Sequence, residues 1–257
     1  MRSRSAVVTG ASSGIGEALA RVMAARAFDL LLVARGTVAL DKLATELSER
    51  HSVRCEVLSA DLTRPSDLEA VAAQIREREV NTVVNNAGFG TYGLFHQLPL
   101  DEELGEVQLN VRALVALSHA ALRVMVPRRS GGLLNVASTA SFQPGPGNAT
   151  YSATKSFVRS FTEALHEEVL PSNVHVTALC PGFTRTAFHG RAGMEANLLP
   201  RFMWGEPTAV AVAGLEALDR NQAVCIPGIM NGLGAASVRF APRSVARKVA
   251  GQVLRHM

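Results

Sequence analysis

Lysine, cysteine and tyrosine are scarce in this sequence of 257 residues. Only three of its 26 basic residues are lysines, and it has three cysteines and two tyrosines. Cys55, Cys180 and Cys225 lie in apolar runs typical of strands, so we expect reduced core thiols of a cytoplasmic protein rather than a disulfide framework. No group of His, Cys, Asp and Glu has metal-ligand spacing, so no metal is expected.

Long apolar segments, repeats and flexible linkers are also absent. No apolar stretch reaches the length of a membrane span, and residues 1–4 lead directly into an apolar run that we interpret as a first strand rather than a signal peptide. The formal charge of +4 could indicate nucleic-acid binding. However, the arginines are scattered, with no dense basic block, so nucleic acid is not expected as a partner.

Strand and helix patterns alternate along the whole chain. Continuously apolar runs such as Leu30–Val33 are typical of strands that helices cover on both faces. The pattern predicts strands near 5–9, 28–34, 53–58, 80–85, 132–138, 174–180 and 222–226. It predicts helices near 14–26, 38–50, 65–78, 101–126, 149–170 and 207–219. With 47% hydrophobic residues, the chain can bury one large core, which favours a single α/β domain over 1–257.

A glycine-rich turn follows the first predicted strand. Residues 9–16 read TGASSGIG, and a helical pattern begins within them. Gly10 can form the tight turn, Gly14 lets the backbone approach a pyrophosphate, and Gly16 permits close packing of helix on strand. The N–H groups of the helix start would then face the phosphates. This context predicts a dinucleotide site, although an ordinary strand–helix turn also favours glycine.

Tyr151 and Lys155 are four residues apart, in the segment YSATK. On a helix this spacing places both side chains on one face, where the ammonium can approach the phenol. A nearby positive charge favours the phenolate, so we expect Lys155 to lower the pKa of Tyr151 and make it a general acid and base. The pair alone is weak evidence for a catalytic role, because many helices carry it by chance.

Together these motifs resemble the short-chain dehydrogenase/reductase family. They occur in the family's order over nearly the whole length: Thr9 to Gly16, Asp61-Leu62, Asn85 to Gly88, Asn110, Ser138, Tyr151 with Lys155, and Pro181-Gly182. The resemblance implies a single doubly wound, Rossmann-like domain with a seven-stranded parallel sheet flanked by helices. It also implies an oxidoreductase that acts on CH–OH or C=O groups, and a homodimer or homotetramer.

By resemblance, four residues form the catalytic set. Tyr151 protonates the developing alkoxide, and Lys155 also contacts the nicotinamide ribose. Ser138 polarises the carbonyl, with Ser141 as a rival three residues later. Asn110 would hold backbone and water for a proton relay. Because Asn is a poor helix former, its place within a helical run also predicts a local kink or a specific hydrogen bond.

The same resemblance places the remaining cofactor contacts. They are assigned to Gly10, Ser12, Ser13, Gly14, Ile15, Gly16, Asp61, Leu62, Asn86, Ala87, Gly88, Pro181, Gly182 and Thr184, beside Tyr151 and Lys155. Arg35 ends the second predicted strand, where an acid would favour NAD(H), and an arginine there can bind a 2′-phosphate. We therefore expect NADP(H), with only a moderate preference because the turn carries Ser12 and Ser13 rather than a second basic residue. The alternative for Arg35 is a solvated surface arginine.

Two segments differ most among members of this family. Residues 183–206 form a predicted substrate lid rich in apolar side chains, and Phe89, Tyr92, Phe95 and Phe142 are expected near the other pocket walls. They favour a small lipophilic carbonyl substrate, 3-oxoacyl or steroid-like, unless these residues pack on the sheet or a partner subunit. Residues 229–257 form a predicted basic amphipathic tail, which packs on protein more often than on a membrane surface.

Two other functions remain open at this point. An NADH-using alcohol dehydrogenase differs from the NADPH-dependent reductase only in the cofactor. A non-catalytic dinucleotide-binding regulatory protein would keep the fold and lose turnover, but such a protein typically lacks Ser, Tyr or Lys of the catalytic set, and this chain keeps all three.

Overall fold

A seven-stranded parallel sheet forms the centre of the structure. The computed structural model describes residues 4–186, 204–228 and 231–232. The strands are β1 (Arg4–Thr9), β2 (Phe28–Ala34), β3 (Cys55–Ser59), β4 (Thr82–Asn85), β5 (Gly131–Val136), β6 (Val174–Leu179) and β7 (Val224–Cys225). Their order is β3-β2-β1-β4-β5-β6-β7, with every neighbouring pair parallel. The predicted doubly wound α/β fold is confirmed.

Helices connect the strands and cover both faces of the sheet. They are α1 (Gly14–Ala25), α2 (Thr37–His51), α3 (Pro65–Glu77), α4 (Leu100–Val107), α5 (Leu114–Met125), α6 (Ala149–Val169) and α7 (Pro207–Asp219). Short 3₁₀ turns lie at Phe95–Gln97, Thr139–Phe142 and Leu170–Ser172. Each helix returns the chain to the edge where the next parallel strand begins, as crossover connections require.

Successive side chains of the buried strands point to opposite faces of the sheet and form two cores. Val8, Leu32 and Leu134 belong to the core shared with α1, α2 and α7. The neighbouring residues Val7 and Leu31 face the opposite side and pack in the core with α3 and α5. Because both faces are buried, the strands are continuously apolar instead of alternating with polar residues.

The predicted helix over 101–126 contains an irregularity at its middle. Helical backbone runs from Leu100 to Met125, but Gln108–Ala113 form a π-helical turn between α4 and α5. Asn110 lies within this turn, buried and hydrogen-bonded to the backbone of Phe89. The predicted local kink or specific hydrogen bond at Asn110 is therefore confirmed. Such π turns are often found at functional sites.

The three cysteines are free thiols, as expected. Only Cys180 is buried, however, whereas Cys55 and Cys225 are partly exposed. The expectation of three core thiols is wrong for these two, because β3 and β7 are the edge strands of the sheet.

The lid and the tail fall mostly outside the described residues. Of the predicted lid, the structure describes 183–186 and 204–206, and of the predicted tail it describes 231–232. The assignment of 183–206 as a lid and of 229–257 as a tail therefore stays a prediction. In the part of the chain that the structure describes, no helix combines the length and apolar character that crossing a bilayer needs.

A core truncation tests this packing. Leu134 is fully buried at the centre of the sheet, so we expect Leu134→Ala to lower the free energy of unfolding by about 2–5 kcal/mol through lost burial and a residual cavity. Val38→Ala is the control, because Val38 is exposed on α2 and its truncation leaves no cavity. Urea denaturation followed by circular dichroism measures both. Equal midpoints for the two variants would contradict the assigned core.

Candidate active site

A cavity of about 1330 Å³ opens at the carboxyl ends of the strands. This is where ligands bind in open parallel sheets. Its lining includes the following residues predicted from sequence: Gly10, Ser12, Ser13, Gly14, Ile15, Arg35, Asp61, Leu62, Asn86, Ala87, Gly88, Ser138, Tyr151, Lys155, Pro181, Gly182 and Thr184. Gly16 and Asn110 lie behind the wall rather than on it. The structure thus brings nearly the whole predicted set to one cavity.

The glycine-rich turn between β1 and α1 requires its glycines. Gly10 and Gly14 adopt φ values of +65° and +62°, in the left-handed region that disfavours side chains. A Cβ on Gly16 would meet the carbonyl oxygen of Gly10 at 2.2 Å, so Gly16 lets the helix pack closely instead of contacting a ligand. The turn leaves a smooth backbone wall at the start of α1, a cradle that fits the pyrophosphate of a dinucleotide.

Asn86 ties the end of β4 to the glycine-rich turn. Its Nδ2 donates to the carbonyl oxygens of Thr9 at 2.9 Å and Gly10 at 3.2 Å. The hydroxyl of Thr9 accepts from the backbone N–H groups of Asn86 and Ala87 and donates to the carbonyl of Val84. Asn86 lines the cavity, but these bonds give its amide hydrogens a role in holding the turn.

Arg35 and Asp61 lie on the cavity wall beyond β2 and β3. Arg35 is exposed, and its guanidinium is close enough to Asp61 to act on its charge. Hydrogen bonds from Thr63 to the Asp61 carboxylate, with the charge of Arg35 adding to them, hold the pKa of Asp61 below its usual value. The wall therefore presents one cation and one fixed anion where the adenosine end of a dinucleotide would lie.

Ser138 and Tyr151 form the reactive end of the site. Ser138 lies two residues after the end of β5, its Oγ accepts from the N–H of Ala140 at 3.1 Å, and it shares a side-chain hydrogen bond with Tyr151. The rival Ser141 is buried and is not among the cavity residues. Ser138 therefore has the geometry to orient a carbonyl oxygen beside the phenol.

Burial dominates the ionisation of the two helical residues. It raises the pKa of Tyr151 to about 12 despite the bond from Ser138, and it lowers the pKa of Lys155 to about 8. The expected lowering of the Tyr151 pKa by Lys155 is thus not found. Lys155 Nζ lies 5.7 Å from the centre of the phenol ring and donates to the carbonyl oxygen of Val136 at 2.8 Å. Tyr151 stays protonated at neutral pH, as a proton donor must.

Asn110 connects the helix irregularity to the site. Its Nδ2 donates to the carbonyl oxygen of Phe89 at 2.8 Å and to Thr154 Oγ1 at 3.1 Å, and its Oδ1 accepts from the N–H of Phe89 at 3.2 Å. Asn110 thereby fixes the segment after β4 against α6. Asn110 thus contacts backbone as expected, whereas its place in the catalytic set and in a water relay stays a prediction.

Aromatic side chains from two segments form the substrate side of the cavity. Phe89 and Phe142 line it as expected, whereas Tyr92 and Phe95 do not. The ends of the predicted lid are held together, since Thr184 and Gly205 form a bridge and Phe183 lies against Trp204 with ring centres 5.9 Å apart. Phe183 also lines the cavity.

Sequence reasoning missed a buried polar group beneath the site. It consists of two carboxylates of α4, Glu103 and Glu106, and their hydroxyl partners Thr91 and Thr150. A signal was present, because Glu103, Glu106 and Asn110 follow one another at spacings of three and four, which places them on one face of a helix.

The arrangement defines an oxidoreductase that interconverts alcohol and carbonyl groups. A hydroxyl pair, a buried ammonium and a dinucleotide cradle open to one cavity. Among residues 4–186, 204–228 and 231–232, no cluster of His, Cys, Asp and Glu could hold a metal ion.

The comparisons with known proteins give the family. The short chain dehydrogenase family matches residues 4–196, and the chain belongs to this family. Oxidoreductase UcpA of Salmonella typhimurium is 30% identical over 76% of this chain and 74% of that protein. The very-long-chain 3-oxoacyl-CoA reductase of Laccaria bicolor is 35% identical over 68% of this chain, which spans only 53% of that protein.

Solved structures agree in fold and in sequence. A short-chain dehydrogenase from Sphingobium yanoikuyae in complex with NADPH is 36% identical, with a TM-score of 0.84 over 93% of this chain and 96% of the other. The bulky-bulky ketone specific alcohol dehydrogenase from Comamonas testosteroni is 33% identical, with a TM-score of 0.81 over 92% and 93% of the two chains.

One glycine behind the phenol offers a test of the site geometry. A Cβ on Gly90 would lie 2.7 Å from Tyr151 Cδ2, so Gly90→Ala must displace the ring. We expect turnover to fall about 100-fold at saturating cofactor, because small misplacements of a reacting group cost that much. Gly205→Ala is the control, since its Cβ would meet only ordinary contacts at 3.6 Å and beyond. Steady-state kinetics measures both, and equal turnover in the two variants would contradict the placement of Tyr151.

Proposed function

We propose that this protein is an NADPH-dependent reductase of bulky lipophilic ketones. The observation that carries the proposal is the meeting of the Ser138–Tyr151 hydroxyl pair with a dinucleotide cradle in one cavity. The Sphingobium yanoikuyae structure holds NADPH, and the Comamonas testosteroni enzyme is described as specific for bulky-bulky ketones. Both resemblances support the cofactor and the substrate class.

The residues of this chain divide the chemistry among them. NADPH, when bound, supplies the hydride that a carbonyl carbon accepts. Ser138 hydrogen-bonds the carbonyl oxygen and orients it. Tyr151 donates its phenolic proton to the oxygen as negative charge develops there, the moment at which a general acid contributes most. Lys155 holds positive charge beside the phenol, and the aromatic walls from Phe89 and Phe142 exclude water.

The substrate preference follows from the walls described above. Phe89, Phe142, Leu109 and Phe183 give the cavity apolar surface beside the hydroxyl pair. Pockets of this kind bind an apolar body and fix it by a few polar groups. A ketone on a ring system or a long acyl chain satisfies both features, and the Laccaria bicolor reductase supports the acyl alternative.

An exposed apolar face supports assembly with a second copy of the chain. Leu100, Leu104 and Val107 of α4 and Phe157 of α6 are more than 40% exposed, although each is a large apolar side chain. Contiguous exposed apolar surface typically marks an interface. The homodimer or homotetramer expected from the family would cover this face.

Loss of the phenol tests the proposed reaction. We expect Tyr151→Phe to reduce turnover at least about 100-fold while leaving NADPH affinity unchanged, because only the proton donor is removed. The measurement is NADPH consumption against a panel of ketosteroids, 3-oxoacyl thioesters and small ketones, with NADPH affinity from nucleotide fluorescence. Near-normal turnover in the variant would contradict the mechanism. Tight binding without turnover by the wild type on every substrate would favour the regulatory alternative.

Truncation of Arg35 tests the cofactor preference. A charge-assisted bond to the 2′-phosphate contributes roughly 1.5–3 kcal/mol, so Arg35→Ala should raise the Kd of NADPH at least about tenfold and leave that of NADH unchanged. Arg50→Ala, on the exposed face of α2 outside the cavity, is the control. Isothermal titration calorimetry measures the affinities of the wild type and both variants for NADPH and for NADH. An equal loss for both nucleotides, or a wild type that prefers NADH, would favour the NADH-using alternative.

A further inference from the structure

Two buried carboxyl groups lie on the inward face of α4. Glu103 is 4% exposed and Glu106 is fully buried, an environment that glutamate enters rarely without a partner. Within the described residues, no lysine or arginine nitrogen forms an ion pair with either group. Neither group has a role in the reaction as derived so far.

The two carboxyl groups are not equivalent. Glu103 accepts hydrogen bonds from Thr91 Oγ1 at 2.5 Å and from Thr150 Oγ1. The side-chain contacts of Glu106 are long, with Thr91 Oγ1 at 3.4 Å and Asn110 Nδ2 at 3.5 Å, and each of these donors has a shorter bond elsewhere. The backbone of Thr91 also donates a hydrogen bond to Glu106. The hydroxyl donors of Thr91 and Thr150 therefore fix Glu103, and the side chain of Glu106 is the less firmly held of the two.

Glu106 is connected to Lys155 through the wall at Gly88. Glu106 contacts Asn110, and a Cβ on Gly88 would lie 2.8 Å from Asn110 Oδ1 and 3.4 Å from Lys155 Nζ. Asn110 and Lys155 therefore lie against the same face of Gly88. Asn110 thus connects Glu106 to the neighbourhood of the Lys155 ammonium.

The surrounding charges single out Glu106 as the partner of Lys155. The groups that act on the Lys155 charge are Glu106, which favours the ammonium, and Cys180, whose own pKa burial raises to about 12, so that it stays neutral. Glu106 in turn faces Glu103 on its own helix, and Tyr151 and Lys155 on α6. Burial and the charge of Glu103 raise the pKa of Glu106 to about 7, close to that of Lys155.

We propose that Glu106 is a positioning residue of this site, the buried counter-charge that favours the ammonium form of Lys155 without an ion pair between them. Glu103, fixed by Thr91 and Thr150, sets the pH at which Glu106 loses its proton. Above that pH the Glu106 carboxylate opposes the loss of the Lys155 proton, and no covalent step is involved. The importance of this pairing for turnover rests on the proposed function, whereas the pairing itself is measurable without substrate or cofactor.

The scarcity of lysine makes the test direct. The chain has only Lys42, Lys155 and Lys248, so protein labelled with ¹³C at the lysine ε-carbon gives three signals, and Lys155→Arg identifies one of them. We expect the Lys155 signal to titrate with a midpoint near the pKa of about 8. In Glu106→Gln the midpoint should fall by about one pH unit, because an opposite charge is lost.

Two controls separate this effect from general damage. Glu49→Gln removes an exposed glutamate of α2 and should leave the Lys155 midpoint unchanged. In Glu103→Gln the midpoint of the Lys155 signal should not fall. The smaller inflection that Glu106 imposes on the same signal should move below its wild-type pH near 7. An unchanged midpoint in Glu106→Gln, or an equal fall in Glu49→Gln, overturns the proposal.

Two further measurements cover a Glu106→Gln variant that does not fold and a purely structural role of Glu106. If Glu106→Gln does not fold, the wild-type Lys155 signal still has to show the inflection near pH 7, and a single-step titration overturns the proposal. With a ketone that the wild type reduces, the alkaline limb of kcat/KM should move to lower pH in Glu106→Gln. A purely structural residue would lower kcat/KM at every pH without moving the limb. Failure to reduce any ketone would count against the proposed function and leave the lysine titration as it stands.

Discussion

Parallel pairing of seven strands between two helical layers is the constraint on which the rest of the structure depends. β1 pairs with β2 on one side and β4 on the other, so three chain segments end at the same edge of the sheet. Both faces are apolar and buried against helices, which holds the sheet between the two layers. Because all seven strands point the same way, the polar residues that follow them are brought to one edge without any need for neighbouring positions in sequence.

Polar groups then hold this edge in a single arrangement. Asn86 and Thr9 join the ends of β4 and β1, and Asn110 joins the segment after β4 to α6 through the π turn. Lys155 is anchored to the carbonyl oxygen of Val136. Buried polar networks of this kind are costly unless every member is satisfied, and they specify one geometry when they are. The reactive hydroxyls of Ser138 and Tyr151 depend on that geometry.

Much of this was predictable from sequence, and the exceptions have physical reasons. Motifs such as the glycine-rich turn depend on local backbone, so the need for glycine at Gly10 and Gly14 was predictable. The direction of the Tyr151 pKa was wrong, because burial by surrounding elements outweighs a neighbour at helical spacing. The spacing of Glu103, Glu106 and Asn110 places them on one helix face, but the burial of that face depends on how α4 packs against α6, so Glu106 was missed.

The central claim is that Tyr151 delivers a proton to a carbonyl that receives hydride in the same cavity. The most direct measurement follows deuterium from NADPH that carries deuterium at both nicotinamide C4 positions into the product of a ketosteroid or 3-oxoacyl substrate, for the wild type and Tyr151→Phe. The account predicts deuterium at the carbinol carbon with the wild type and almost no labelled product with the variant. Equal labelled product from both proteins, or a reduced product without deuterium at that carbon, would contradict it.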